Sequence, residues 1–230
     1  MTRTERQFMT LKVPCLFQMT VWWIVSILCC VVLHVESAPT PFNQRQMYKN
    51  SFHLTRSTRA SVQHLLRNYK EEQMGNVHFE DRSRHLRELP SLSTDFYSWL
   101  SLSDRDRLHG AFRDMQVYWN MLEKKRKQLE REQMELNTVH ATQHSLIQHF
   151  RHIQLDLRDL MSQVSSQVSA VLLSPDNIRA CPHKGSDTKS GSVKTLWDSR
   201  VEGYIVLRDL DLYLTKLARD FLLLASKPLS

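Results

Sequence analysis

His140 and His144 lie four residues apart, the spacing at which two imidazoles share one helix face and can chelate a divalent metal. They belong to a set of 11 histidines that also includes His149 and His152. No carboxylate or third ligand stands at a motif spacing from the pair, so both read as polar residues on a solvated face. Cys181 and His183 form Cys-x-His, too close together and too few for a zinc site, which usually takes four ligands. The chain holds no Gly-x-Ser-x-Gly, no His-Glu-x-x-His and no pair of Cys-x-x-Cys. Its 5 glycines (Gly75, Gly110, Gly185, Gly191, Gly203) are scattered and build no phosphate cradle. The expectation is a binding protein: no enzyme activity, no cofactor and no metal.

A second cluster is cationic. Glu123-Lys124-Lys125-Arg126-Lys127, with Arg131 beyond, sits among Glu130, Glu132 and Glu135. Alternating signs predict a solvated helix face, with weak contact to heparan-type cell-surface polyanions as the functional remainder. A net charge of +7 and a pI near 9.4 suit nucleic acid, but the N-terminus argues for export.

That N-terminus runs basic, then apolar, then small. Arg3, Arg6 and Lys12 precede the apolar run VWWIVSILCCVVL, followed by Val35-Glu36-Ser37-Ala38-Pro39. This is the layout of a secretory signal peptide over 1–38, with cleavage expected after Ser37 or Ala38. The run is shorter than the roughly 20 residues that span a bilayer. The alternative is an uncleaved anchor carrying a helical scaffold, its long coiled-coil hairpin formed by residues 103–173. Cleavage after Ala38 turns 31 basic and 24 acidic residues into 28 and 22, a net charge of +6. It leaves Cys181 as the only cysteine, free or paired with another chain.

Low glycine and proline-free intervals at 42–89, 91–174 and 183–227 predict an all-α chain of four long helices. The clearest stripe is Leu207, Leu210, Leu214, Leu217, Phe221 and Leu224, spaced 3-4-3-4-3. Another runs from Leu146 through Phe150, Ile153, Leu157, Leu160, Val164 and Val168 to Val171. A third takes Leu108, Phe112, Met115, Trp119, Leu122, Leu129 and Leu136, with Ser103 and Asp106 as a capping box at its start. The first is weaker (Phe52, Val62, Leu65, Leu66 and Tyr69) and suggests a helix over 51–73 after a flexible tail at 39–50. Connections of about 28, 6 and 20 residues, long-short-long, predict a four-helix bundle with up-up-down-down topology over 51–230.

The C-terminal stretch Trp197-Asp198-Ser199-Arg200, Val206 to Tyr213 and Ala218-Arg219-Asp220-Phe221 resembles helix D of the interleukin-6 family of cytokines. The similarity is greatest to the ciliary neurotrophic factor, cardiotrophin and cardiotrophin-like branch. Ser93-Thr94-Asp95 and Arg107-Leu108 resemble its approach to helix B, and Arg56 to Tyr69 its helix A. The resemblance implies a secreted ligand that assembles receptors of the glycoprotein 130 and leukaemia inhibitory factor receptor type. It also implies that Trp197 and Arg200 stand where the branch has a receptor-gripping Phe-x-x-Lys, two departures that keep an aromatic followed by a cation. Periodicity turns Trp197 roughly 130° from the Leu207–Leu224 stripe, so it contacts a receptor, packs under the crossover at 75–102, or precedes the helix. Gln63, Arg67, Gln148 and His152 lie on outward faces of the first and third helices, which the resemblance gives to glycoprotein 130.

Overall fold

The computed structural model describes residues 41–93, 95–135, 141–172 and 195–227, and every regular element among them is a helix. Four are long: α1 (Pro41–Met74), α3 (Asp104–Glu135), α4 (Ala141–Leu172) and α5 (Leu196–Ser226). A fifth, α2 (Phe96–Ser101), is a single short piece in the connection before α3. Cys181 and His140, and the N-terminal segment, lie outside the described residues.

Local chemistry sets the boundaries. α1 opens on Pro41, whose fixed φ suits a first helical position, ten residues before Ser51. It therefore takes in residues 41–50, which the sequence suggests as a tail. Tyr48 is buried there, and the Met47 carbonyl accepts a bond from Gln167 (3.3 Å), so tertiary packing holds a segment that lacks an apolar stripe. α1 ends where Gly75 takes φ of 66°, a left-handed conformation that costs glycine little. Ser103 caps α3 as its spacing predicts: Asp106 N–H donates to Ser103 Oγ (3.1 Å), and Ser103 Oγ donates to Asp106 (2.6 Å). Thr195 and Asp198 form a reciprocal capping box that starts α5 at Leu196.

Each long helix packs on two others: α1 on α4 and α5, and α3 on α4 and α5. All four of these packed pairs run antiparallel. Arg59 meets Asp211 (2.9 Å) and Tyr69 OH donates to the Arg200 carbonyl (3.0 Å), so α1 and α5 run in opposite directions. Ser51 meets Gln163 (2.7 Å) while His64 stacks near His149, which reverses α4 against α1. Gln154 donates to Glu123 (2.9 Å) and Arg151 to Glu130 (3.5 Å) between α4 and α3. Arg107 pairs with Asp220 (2.5 Å) and Lys125 bonds the Ser199 carbonyl (3.0 Å) between α3 and α5.

The α5 stripe is buried throughout, and the α4 stripe from Leu146 to Val168. On α3 the buried face turns: Ala111 and Tyr118 go inside, while Phe112 is 37% exposed and Trp119 half-buried. Tyr213 explains the turn. Its hydroxyl donates to the Ala111 carbonyl (3.1 Å) and its ring lies 5.0 Å from that of Tyr118. A small residue at 111 leaves room for this approach, which a phenylalanine there would block.

Gly203 allows another close approach. A Cβ at this position would collide with the Tyr69 hydroxyl and come within 2.7 Å of Lys125 Cε. Helix propensity alone favours alanine by about 1 kcal/mol, but overpacking against a buried ring costs about 1–3 kcal/mol. Gly203→Ala is therefore expected to lower the urea midpoint; an unchanged or raised midpoint contradicts this packing.

Candidate functional site

The capping box places Trp197 inside the first turn of α5, which removes the reading in which it precedes the helix. Its ring edge rests on Phe79 of the α1–α3 connection, with centroids 6.0 Å apart, and Phe79 in turn packs on Tyr204 at 5.0 Å. The crossover thus supports Trp197 without covering it, and the residue stays 46% exposed. Together with Val201 and the backbone turn from Phe79 to Arg84, it lines a groove of about 690 Å³. Leu196, beside Trp197 in the first turn of α5, and Val77, two residues before Phe79, are also exposed.

The groove wall is fixed from α5. The Arg208 guanidinium donates to the carbonyls of Asp81 and Arg84 (3.0 Å to the latter), while its Nε pairs with Asp209 (2.7 Å). The Asp81 carboxylate accepts from Ser83 Oγ (2.8 Å) and from the Ser83 and Arg84 amides (2.9 and 3.2 Å). Those donors hold its carboxyl below the usual aspartate range, the Ser83 hydroxyl contributing most. A loop with its carbonyls and carboxylate engaged in this way is a preorganised wall, which lowers the entropic cost of binding.

Arg200 sits one turn from Trp197 but in different surroundings. It is only partly exposed, its Nε is buried without a hydrogen-bond partner among the described residues, and its carbonyl accepts from Tyr69. Its charge acts on the Tyr69 hydroxyl and on Lys125. The two residues singled out by sequence share one end of α5, with Trp197 the more available. Gln63, Arg67, Gln148 and His152 are all exposed.

The basic run on α3 needs one correction. Lys124 reaches Glu202 (3.0 Å), Lys127 reaches Glu123 (3.1 Å), and Arg126 pairs with Glu123 (2.8 Å) and with Glu130. Lys125, however, is 5% exposed and turned inward rather than lying on a solvated face. Its ammonium donates to the Ser199 carbonyl (3.0 Å) and hydroxyl (3.3 Å) and lies over the Tyr69 ring. The space is the one left by Gly203. Burial pulls its pKa down to about 8.

The unfolded chain thus holds the Lys125 proton up to the ordinary 10.5 while the folded chain releases it near 8. Between these values the unfolded state binds more protons, so this residue's contribution to stability rises with pH. Relative to Lys125→Met, the wild-type urea midpoint is expected to climb between pH 8 and pH 10. A constant difference would show that the ammonium is not buried. At the other end of the scale, Gln154 first and then Arg126 and Lys127 hold Glu123 at about 2. Its contribution is complete above the ordinary 4.5 and lost as pH falls towards 2.

Among the histidines, His149 Nδ1 donates to the Ser145 carbonyl (2.7 Å) and its ring lies 5.3 Å from His64. His144 is exposed. Among the described residues no three His, Cys, Asp or Glu side chains are placed to hold a metal, and no helix is long and apolar enough to cross a membrane. Comparison with protein-family models and with curated proteins returns no match to this chain.

Proposed function

We propose that the chain is a secreted four-helix cytokine with up-up-down-down topology that binds and assembles transmembrane receptors. The topology is supported by the arrangement of α1 and α3, each packed antiparallel on both α4 and α5, while among the described residues their backbones do not pack closely on each other and Lys125 of α3 reaches the Tyr69 ring of α1 from across the core. Two parallel helices set diagonally, with antiparallel neighbours, need long connections before the second and fourth helices and a short one between. The receptors proposed from the helix D resemblance are of the glycoprotein 130 and leukaemia inhibitory factor receptor class. Binding two or three of them on different faces would bring their cytoplasmic kinases together, with no bond made or broken by the cytokine.

One observation carries the reading: Trp197, half exposed at the start of α5 on a wall fixed by Arg208. A large aromatic held rigidly at the surface next to a groove matches the anchors that dominate interface energetics. The exported protein is expected to begin near Ala38 or Pro39 on N-terminal sequencing; an intact Met1 contradicts secretion and favours the anchored scaffold.

A further inference from the structure

The charge of this molecule is placed very unevenly. Between Pro41 and Lys70, α1 holds six cations (Arg45, Lys49, Arg56, Arg59, Arg67 and Lys70) and no Asp or Glu. At about 100° per residue these six fall within an arc of about 80° on a single helix face. With a rise of about 1.5 Å per residue, they form a file about 37 Å long.

The side chains follow the arithmetic. Arg45, Lys49, Arg56 and Arg67 are exposed, and Arg59 and Lys70 are partly so. Among the described residues, only Arg59 of the six meets a carboxylate, that of Asp211 on α5. Arg56 lies over the Phe52 ring and Lys70 over that of Tyr204, which orders both cations without neutralising them. The basic run on α3 is the opposite case. Lys124, Arg126 and Lys127 all sit on Glu123, Glu130 or Glu202, and Lys125 is buried. The run that stands out in the sequence is locally neutralised, whereas the stripe dispersed along α1 is not.

We infer that the outward face of α1 is a binding site for a sulfated polysaccharide chain of the heparan sulfate type, laid along the helix. A linear array of like charges on a convex rod matches an extended polyanion, whose binding is driven by release of its condensed counterions. An anionic bilayer is a poorer match. A helix lying on a membrane inserts a broad apolar face, and the apolar face of α1, from Tyr48 through Val62, Leu65 and Tyr69, is buried in the core. The preference for a polysaccharide over duplex DNA rests on the secreted reading; the stripe itself does not.

The test is a titration of the full secreted chain against immobilised heparin and chemically desulfated heparin, with duplex DNA and phosphatidylserine vesicles in parallel. Arg56→Gln with Arg67→Gln is compared with Lys124→Gln and Lys127→Gln, which removes the same net charge from α3. The α1 pair is expected to weaken heparin binding at least about tenfold and to lower the salt slope by about two, while the α3 pair changes affinity less than about threefold. Circular dichroism on each variant excludes loss of helix. Equal weakening by the two pairs, or no heparin binding by the wild type at physiological salt, overturns the site. Binding to desulfated heparin, DNA or vesicles as tight as to heparin overturns the occupant. Because the assay uses purified components, a failure of receptor binding or signal cleavage leaves its result standing.

Discussion

Asp220→Ala is expected to destabilise the fold by about 3–5 kcal/mol, the usual cost of removing one partner of a buried ion pair. For a domain of this size that lowers the melting temperature by on the order of 10 °C. The pair is Arg107 and Asp220, at 2.5 Å, with their side chains 2% and 10% exposed. Desolvating both charges is offset only by their mutual attraction and by the bonds around them. Trp99 Nε1 donates to the same carboxylate oxygen (2.6 Å), and Arg107 also donates to the Trp99 carbonyl (2.7 Å) and stacks on its ring. Removing the carboxylate strands a buried guanidinium and an indole N–H together. It also loosens α2, because the Trp99 indole loses its acceptor on α5.

Graded substitutions separate these contributions. Asp220→Asn keeps an acceptor for Trp99 and is expected to lose less than alanine does. Arg107→Met with Asp220→Leu removes both charges, and such exchanges are often near neutral; here recovery stays incomplete because the Trp99 indole has no acceptor. Thermal denaturation of the three variants decides the matter. A change below about 1 kcal/mol for Asp220→Ala would mean that solvent reaches this pair.

The second large effect falls on binding rather than folding. Trp197→Ala is expected to weaken receptor affinity by about thirtyfold or more, the cost of about 2 kcal/mol or above typical of a buried aromatic anchor. Its contribution to the fold is an edge contact with Phe79, so the melting temperature should stay within a few degrees of wild type. Arg200→Ala is expected to lower affinity less, since its guanidinium is only partly exposed. Signalling in a responsive cell line, read beside the melting curve of each variant, distinguishes the roles. If Trp197→Ala unfolds the protein, the residue belongs to the packing of the crossover.

Much of the helical architecture was legible because leucines at 3-4 spacing leave little choice of face. The α5 stripe from Leu207 to Leu224 and the α4 stripe from Leu146 to Val168 are buried as spaced. On α3, the sets Leu108-Phe112-Met115-Trp119 and Leu108-Ala111-Met115-Tyr118 obey the same periodicity. Tyr213, more than 90 residues away, makes its contacts with the second set. The first ten residues of α1 carry Asn43, Gln44, Arg45 and Gln46 with little apolar signal, and Pro41 as an N1 residue was the available clue. Thr195 and Asp198, spaced as a capping box, were another, and they place Trp197 within the helix.

The candidate site was legible in part. Trp197 stood out because it is turned away from the stripe, and the structure leaves it half exposed. Phe79 and Arg208 were invisible as its support, since a loop that folds back on a helix leaves no period in the sequence. Lys125 was masked by its charge: it falls three residues after Leu122 and four before Leu129, on the buried face, but a run of four cations reads as solvated. Gly203, a glycine one turn before the α5 stripe, was a trace of the space that Lys125 and Tyr69 fill.

The central claim is that this molecule acts by engaging receptor chains. The most direct measurement is size-exclusion chromatography of the wild-type chain mixed with soluble ectodomains of glycoprotein 130 and the leukaemia inhibitory factor receptor, together and separately. The expected result is a co-eluting complex with at least one ectodomain, weakened by Trp197→Ala. No complex of the folded chain with either of them, or with any related receptor, would contradict the cytokine reading.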